Sequence, residues 1–335
     1  MANIEDVAKL VGVSKALVSR YLNNRSGVGA DNRIKIAQAI ETLGYRRNDI
    51  ARSLVQQKTG AIGVILDSLC QTFIFDLIKG LETGGEECGY KIIFCDCMGD
   101  TQKKLSYINY LSHSRVDGLV MYGSFYKDNI IAAELSRSHF PFVMIENNVE
   151  SVNTNKILID NRDGVRQIVH HFYSKGYRDI RMVCWDMSTY AGCERYEGFK
   201  IGMEECGLTV PQKSVYCKNV LGNGFDESLD VVNQMISNKE IPDAIFFGAD
   251  NLAYAAIQIF RERGIAIPDE VAISGFDNDN FTGRNIFMPR LTTVEQPLFE
   301  AGKVAIHMLS DALSNKDILS RTITLPVKLI IGETS

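Results

Sequence analysis

The feature that most constrains the fold is the regular alternation, from Thr59 onward, of short apolar runs with amphipathic helical stretches. Strands that alternate with helices in this way are typical of parallel α/β architecture. One small sheet does not readily hold so many units, so the sequence predicts two doubly wound lobes. A ligand would then bind where the carboxyl ends of the strands face each other across a cleft. The predicted strands are AIGVILD, YKIIFCD, VDGLVMYG, FPFVMIEN, KILIDN, IRMVCWD, DAIFFGA and VAISGFDN.

The segment before this pattern, up to about residue 46, has a different periodicity and predicts three short helices. Asn3 and Ser14 are suitable N-caps for the first two helices. Val18 and Leu22 lie four residues apart and form one apolar face on the second helix. A third helix is expected from about 31 to 43. The chain therefore begins with a small all-α domain joined to a larger α/β body.

Charge divides along the same boundary. Up to residue 58 the chain has ten basic and five acidic residues, a local net charge of +5, whereas the whole chain has a net charge of −5. The remainder therefore has a net charge of −10. A basic segment before an acidic body is the distribution expected of a DNA-reading domain attached to a body that does not bind DNA.

The second predicted helix is a candidate for DNA recognition, because the second helix of a helix-turn-helix lies in the major groove. Arg20 can contact guanine in a bidentate manner, Lys15 can reach guanine or a phosphate, and Ala16 can touch a thymine methyl group. The competing interpretation is that these are solvated residues on an ordinary surface helix. The predicted DNA contacts of this domain are Ser14, Lys15, Ala16, Ser19, Arg20 and Asn23.

Several segments in combination resemble the LacI/GalR family of repressors, and the resemblance extends over essentially the whole chain. They are IEDVAKLVGVSKALVSRYLNN, LGYRRNDIARSL, KTGAIGVI and GFDN. The resemblance implies a helix-turn-helix domain, a hinge helix, and a core similar to periplasmic sugar-binding proteins. The expected boundaries are 1–46 for the helix-turn-helix domain, 47–58 for the hinge helix and linker, and 59–335 for the core.

The hinge segment NDIARSL is too short to be a stable helix by itself. In the family two such helices pair on the operator and insert a leucine into the minor groove, where a wedge of this kind kinks DNA. Leu54 matches that leucine, although it could instead pack on the core. Arg47 stands where the family usually has proline, and with Arg52 it completes the predicted DNA contacts.

Within the core, the resemblance implies an N-lobe of about 59–159 and 292–320 and a C-lobe of about 160–291 and 321–335. Arg195 in RYEGF and Asp277 in GFDN match an arginine and an aspartate that bind the effector in the family. We expect them to face each other across the cleft. The alternative is a salt bridge between domains.

Other candidate effector contacts lie at strand ends or beside the cleft. Phe73 and Trp185 could stack on a ligand or simply pack, and Glu146 could accept ligand hydroxyl groups or be an ordinary loop acid. The loop before Phe73 reads Gln71-Thr72 where the family usually has Asn-Pro. The predicted effector-binding residues are Phe73, Glu146, Trp185, Arg195, Asp250, Asp277 and Gln296.

The sequence thus predicts a transcriptional regulator, most simply a repressor, that binds palindromic operator DNA as a homodimer. Its expected effector is a sugar or sugar phosphate, with a nucleoside as the second choice. No leucine heptads follow the core, which favours a dimer over a tetramer. The chain shows no C-x-x-C pair, HExxH motif or Ser/His/Asp arrangement, so neither catalysis, nor a metal, nor a cofactor is expected, and its eight cysteines are expected to be free thiols.

Two other classes of protein share the α/β pattern. An oxidoreductase would need G-x-G-x-x-G between a strand and a helix, and GNGFDE departs from that pattern at its last position. An exported binding protein would need a signal peptide, and MANIEDVAKL is acidic where one would be apolar. Because no apolar stretch approaches the roughly 20 residues of a membrane helix, we expect a cytoplasmic protein that associates with the nucleoid when bound to DNA.

Overall fold

The protein is described here from a computed structural model covering residues 2–45, 58–69, 72–123, 128–149, 152–184, 187, 189–210, 215–217, 225–279, 288–315 and 319–335. It forms two compact units, Met1–Thr59 and Gly60–Ser335. We call the described part of the first unit the head and the second unit the core.

The head consists of three helices around a small apolar centre. They are α1 (Ile4–Val11), α2 (Lys15–Leu22) and α3 (Ala30–Thr42). Asn3 and Ser14 cap α1 and α2 as predicted, and Asn3 forms a reciprocal capping box with Asp6. Val18 and Ile36 are fully buried and bring α2 and α3 together in one cluster. The apolar faces predicted from helical spacing therefore meet in the head.

The core alternates strands and helices. Its elements are β1 (Ala61–Leu66), α4 (Ile74–Cys88), β2 (Lys91–Asp96), α5 (Thr101–Ser112), β3 (Gly118–Tyr122), α6 (Asp128–Arg137), β4 (Phe142–Ile145), β5 (Asn155–Ile159), α7 (Asn161–Ser174), β6 (Ile180–Cys184), α8 (Tyr190–Glu205), β7 (Val215–Cys217), α9 (Phe225–Asn238), β8 (Ala244–Phe247), α10 (Asp250–Glu262), β9 (Ala272–Ser274), β10 (Thr293–Glu295), α11 (Leu298–Ser314), β11 (Thr322–Leu325) and β12 (Lys328–Ile330).

The N-lobe is built on a parallel six-stranded sheet in the order β11-β5-β4-β3-β1-β2. Helices α4 and α11 cover one face, and α5 and α6 cover the other. Because both faces are covered, the central strands are apolar throughout, as in the fully buried β1 and β3. The doubly wound lobe predicted from the alternation of strands and helices is present.

The C-lobe has a parallel four-stranded sheet in the order β7-β6-β8-β9. Helices α7 and α8 pack on one face, and α9 and α10 pack on the other. Strand β10 runs beside β9 through isolated bridges and pairs with β12. The carboxyl ends of the strands carry the polar loops that matter for the site.

The chain crosses between the lobes at three places. The first is Asp160, between β5 and α7, and the second is the pair Gln296 and Pro297, between β10 and α11. The third lies between β11 and β12. Both lobes are therefore assembled from separated stretches of sequence.

The predicted lobe boundaries need correction at two of these crossings. Strand Thr322–Leu325, assigned to the C-lobe from the sequence, pairs in parallel with β5 of the N-lobe sheet. The segment 292–295, assigned to the N-lobe, pairs with C-lobe strands. A short strand carries no sequence signal for the sheet it joins, because its partners are distant in the chain.

Candidate functional sites

The exposed face of α2 carries the predicted DNA contacts. Val18 is buried against the head, whereas Lys15, Ala16 and Arg20 are exposed on the same helix. Ser14 accepts a hydrogen bond from the backbone of Leu17, so its hydroxyl caps the helix. The helix thus separates a packed side from a polar side, which is the geometry a recognition helix needs.

Lys15 and Asn23 also have partners within the head. The Lys15 ammonium lies 2.9 Å from the Glu5 carboxylate, and this ion pair lowers the pKa of Glu5. The Asn23 amide donates to the carbonyl of Ser19, one turn earlier, at 2.8 Å. The Lys15 and Glu5 side chains are both exposed, so solvent screens their ion pair and leaves it weak. Lys15 can therefore exchange Glu5 for a DNA phosphate.

Four of the predicted contacts lie outside the described residues. They are Arg47, Arg52 and Leu54 of the hinge segment and Trp185 of the core. Their roles remain predictions from the sequence.

In the core, five buried polar side chains form one continuous hydrogen-bonded chain. The Asn161 amide donates to Glu146 at 2.8 Å and accepts from Arg195 Nε at 2.9 Å. Asp277 Oδ1 accepts from Arg195 Nη2 at 3.4 Å and from Gln296 Nε2 at 2.6 Å. We call Glu146, Asn161, Arg195, Asp277 and Gln296 the polar chain. It joins the end of an N-lobe strand to two of the three crossings.

Arg195 is the centre of the polar chain. Besides Asn161 and Asp277, its guanidinium donates to the carbonyl of Gly248 at 2.5 Å and stacks on the ring of Phe276 at 3.8 Å. Only 6% of the residue is exposed. A planar group with several donors suits this position because it can hold partners from several elements at once.

The sequence predicted that Arg195 and Asp277 face each other across the cleft, and this prediction is wrong. Arg195 lies on α8 and Asp277 follows β9, so both belong to the C-lobe and contact each other directly. The two side chains meet because α8 packs on the C-lobe sheet beside the carboxyl end of β9. Within the polar chain, Glu146 is the N-lobe residue, and it is connected to this pair through Asn161.

Burial governs the electrostatics of the polar chain. It raises the pKa of Glu146 to about 6 and that of Asp277 to about 7, although Asn161 and Arg195 respectively act in the opposite direction. Both residues also have positive φ angles, 54° and 118°. Such backbone conformations persist only where surrounding contacts fix them, and they cluster at binding sites.

Asp250, at the start of α10, is held by protein groups on both carboxylate oxygens. Oδ1 accepts from the Thr293 hydroxyl at 2.5 Å, and Oδ2 accepts from the backbone of Asp279 at 2.7 Å. Burial, together with the Asp277 carboxylate, raises its pKa well above the usual range. In this arrangement Asp250 positions the loop after β9. Direct contact with an effector remains a prediction.

A cavity of about 210 Å³ opens beside the polar chain, between the start of α4 and the loop after β9. Phe73 lines it from the N-lobe, and Asp277 and Gln296 line it from the other side. The Thr72 hydroxyl also donates to the Asp279 carboxylate, which joins the two walls. The cavity therefore brings together three predicted effector contacts from separate elements.

Sequence reasoning missed three residues that the structure places at this site. Asn161 occupies the middle of the polar chain, and Thr72 and Asp279 close one side of the cavity. Asn161 had a signal, since it is a polar residue directly after the buried strand KILID. Thr72 had been noted only as a departure from the family sequence before Phe73, and Asp279 had no signal, because only the folded chain brings these two residues together.

In the described ranges no group of three or more His, Cys, Asp or Glu side chains is arranged to hold a metal ion. Over the same part of the chain, no helix is both long enough and apolar enough to cross a bilayer.

Comparison with known proteins gives consistent matches along the chain. Residues 3–48 match bacterial regulatory proteins of the lacI family, and residues 169–335 match a periplasmic binding protein-like domain. The HTH-type transcriptional repressor PurR of Photobacterium profundum is 30% identical over 336 residues, covering 100% of this chain and 98% of the relative. The HTH-type transcriptional regulator RegA of Clostridium saccharobutylicum is 30% identical, covering 99% of both chains.

Solved structures show the same fold. The Lac repressor dimer bound to operator and the anti-inducer ONPF superimposes with a TM-score of 0.85 at 22% identity, covering 99% of this chain and 98% of that one. A complex of the transcriptional regulator CelR with cellobiose gives a TM-score of 0.75 at 22% identity, covering 100% of both chains. The predicted fold class, a helical head joined to two doubly wound lobes, is confirmed.

Proposed function

Because the chain belongs to the LacI family of bacterial regulatory proteins, we propose that it is a repressor whose affinity for a palindromic operator is controlled by a small metabolite bound in the core. The observation that carries this proposal is the polar chain. Two of its members, Asp277 and Gln296, line the cavity, and Gln296 lies where the polypeptide crosses between the lobes. A ligand there can select one arrangement of the lobes.

The operator would be read by the exposed face of α2, with Arg20 as the main base contact and Lys15 as a base or phosphate contact. A palindrome follows from two-fold symmetry, because a dimer presents two recognition helices to two half-sites. The Lac repressor is described as a dimer on its operator, which supports the homodimer proposed here. Such a protein acts on chromosomal DNA, in the cytoplasm.

The charge of the cavity favours a neutral polyhydroxy ligand. Four carboxylate side chains line it, and its Lys79 is already paired with one of them, Asp76, at 3.3 Å. Carboxylates accept hydrogen bonds from the hydroxyl groups of a sugar, and those that are ionised repel a phosphate. Of the candidate effectors, a neutral sugar is therefore preferred over a sugar phosphate, and a nucleoside comes second. The CelR complex contains a sugar of this kind.

Through Asp277 and Gln296, ligand binding can affect how the two lobes are arranged. Asp277 belongs to the C-lobe and Gln296 lies at a crossing, and they are joined by a hydrogen bond at 2.6 Å. A sugar hydroxyl that binds Asp277 competes with or reinforces that bond. The ligand favours the arrangement of the lobes in which its contacts are best. Binding therefore shifts the equilibrium between two lobe arrangements.

The test combines a ligand screen with operator binding. Thermal-shift screening would include a hexose, its 6-phosphate and a nucleoside, because a ligand that binds only the folded state raises the unfolding temperature. We expect stabilisation by a neutral sugar and a changed operator affinity in its presence. Stabilisation by the sugar phosphate alone would contradict the charge argument. A ligand that stabilises the core without altering operator affinity would contradict the regulatory proposal.

A further inference from the structure

The two lobes contain the same arrangement of side chains at a pair of packed helices, away from the cavity. The hexapeptide Gly-x-Glu-Glu-Cys-Gly occurs twice, as 84–89 at the end of α4 and as 202–207 at the end of α8. The facing helices read KVAIH at 303–307 and RQIVH at 166–170. Each hexapeptide therefore faces a basic residue followed, four positions later, by a histidine.

The contacts also correspond. In the N-lobe, Cys88 Sγ lies 3.5 Å from His307 Nδ1, while His307 Nε2 lies 2.8 Å from Glu87. The second oxygen of Glu87 pairs with Lys303 at 2.8 Å. We call these four side chains the N-lobe thiol cluster.

In the C-lobe, Cys206 Sγ lies 3.7 Å from His170 Nδ1, and His170 Nε2 lies 2.6 Å from Glu205. Arg166 contacts the same carboxylate at 3.4 Å. These four side chains are the C-lobe thiol cluster.

Close helix packing explains the glycines but not the cysteines and histidines. A Cβ at Gly84 would lie 2.9 Å from Ile306, and one at Gly202 would lie 2.8 Å from Val169. In each lobe the residue that follows this contact is the histidine facing the thiol. Tight packing therefore explains why the two helices lie so close together. The side chains that meet there have the types needed for catalysis by a nucleophile: a thiol, a histidine base and a carboxylate that orients the histidine.

The carboxylate determines which histidine nitrogen can act as a base. Hydrogen bonds from Lys303 and His307 lower the pKa of Glu87, so this side chain is ionised and can only accept. The imidazole then carries its proton on Nε2, which leaves the Nδ1 lone pair directed at the Cys88 sulfur. His170 and Glu205 have the same relationship beside Cys206, and the His170 hydrogen bond is the largest cause of the lowered pKa of Glu205.

We propose that Cys88 and Cys206 are peroxide-reactive thiols, one in each lobe, each activated by the histidine of its own cluster. The imidazole Nδ1 accepts the thiol proton, and the thiolate attacks one oxygen of hydrogen peroxide. The S–O bond forms as the O–O bond breaks, and the departing hydroxide takes the proton from the imidazolium to leave as water. Sulfur loses two electrons and becomes a sulfenic acid, while peroxide is reduced.

The two clusters should differ in rate. Burial, and then the adjacent Glu205 carboxylate, raises the pKa of Cys206. The sulfur to nitrogen distance is also shorter for Cys88. Because the thiolate is the reacting form, Cys88 is expected to react faster than Cys206. Cys97, which is buried and whose pKa burial raises to about 12, provides an unreactive reference in the same chain.

The experiment treats the reduced full-length chain with hydrogen peroxide, traps sulfenic acid with dimedone and measures modification of each cysteine-containing peptide by mass spectrometry. His307→Asn should slow labelling of Cys88 by at least about tenfold and leave Cys206 unchanged. His170→Asn should do the reverse, so each variant is the control for the other. Glu87→Gln, which keeps the histidine, should give a smaller loss at Cys88.

Alkylation by iodoacetamide across a pH series separates activation from simple exposure. In the wild type Cys88 should remain reactive at lower pH than in His307→Asn, because only the wild type has the histidine that accepts the thiol proton. For either cysteine, a labelling rate equal to that of Cys97, or a rate that its own histidine variant does not change, would overturn the proposal for that cluster.

Discussion

The exposed face of α2 in the head and the polar chain of the core differ in what their side chains contribute to the fold. Arg20 is exposed on α2, whereas Arg195 lies in the protein interior with three hydrogen-bond partners and an aromatic ring beneath it. An exposed residue such as Arg20 can be changed without affecting the packing of its domain. A residue of the polar chain positions other elements, so removing its side chain affects stability as well as binding.

The largest difference in stability between the two regions is expected when an arginine is replaced by methionine in each of them. Arg195→Met should reduce the free energy of unfolding by about 3–5 kcal/mol, because it leaves buried carboxyl groups without their cation. Arg20→Met should leave the stability of the head unchanged, since its side chain is exposed. Urea unfolding followed by circular dichroism would measure both. Equal effects would show that the two regions do not differ in this way.

A substitution that preserves shape should separate binding from folding within the core. Asp277→Asn keeps the oxygen that accepts from Gln296 and Arg195 but removes the charge, so we expect at least a tenfold loss of effector affinity, about 1.4 kcal/mol or more. Operator affinity without ligand should be unchanged. Calorimetry and operator titration would measure the two quantities.

Asp243→Asn is the matched control, because Asp243 is exposed and caps the backbone of Arg178 and Asp179 just before β6, at the other end of the C-lobe strands. It should leave effector affinity as in the wild type. If Asp277→Asn lost operator binding in the absence of ligand, its role would be structural.

In the head, Arg20→Ala should cost about 1–3 kcal/mol on the preferred operator and relax the preference at one base pair in each half-site. Lys15→Ala should have a smaller effect, because Lys15 must first release Glu5. Operator selection with each variant would reveal the difference. Identical selected sequences for the wild type and Arg20→Ala would remove Arg20 from base recognition.

The weakest expected effect is a pH dependence confined to the core. Glu146 and Asp277 have pKa values of about 6 and about 7 in the folded protein, above the usual values of about 4 in an unfolded chain. The folded state therefore binds more protons over this range. The stability contributed by these groups is fully present below about pH 4 and is lost as the pH rises through about 7.

Urea unfolding of the wild type and Asp277→Asn between pH 4 and pH 8 would test this dependence. The variant should lose less stability over the range, since one of the two groups no longer titrates. A wild type whose stability rises with pH through this range, with the same slope in the variant, would contradict the raised pKa of Asp277.

Local sequence patterns predicted the three helices of the head and eight strands of the core, but not β7, β11 or β12. Helix caps such as Asn3 and Ser14 and the spacing of Val18 and Leu22 act within a few residues, so they can be interpreted without the fold. Family membership also confirms that the chain is a transcriptional regulator rather than an enzyme.

The polar chain was only partly predictable because it is assembled from distant segments. Arg195 and Asp277 were singled out separately, but their direct contact depends on how α8 packs against the C-lobe sheet. Asn161 was missed although its position after a buried strand was visible. Strand β11 was assigned to the wrong lobe because pairing partners are not encoded locally.

The crossings between lobes also determine the order in which the chain can mature on the ribosome. The head is complete after about residue 45, long before synthesis ends. The N-lobe sheet lacks its β11 edge strand and the covering helix α11 until residues beyond 298 have emerged. Throughout synthesis of the C-lobe, the nascent chain therefore exposes an open strand edge and an uncovered apolar surface. Such surfaces are prone to aggregation and are bound by chaperones, so the N-lobe, although it begins first, is expected to become protected only when synthesis is nearly complete.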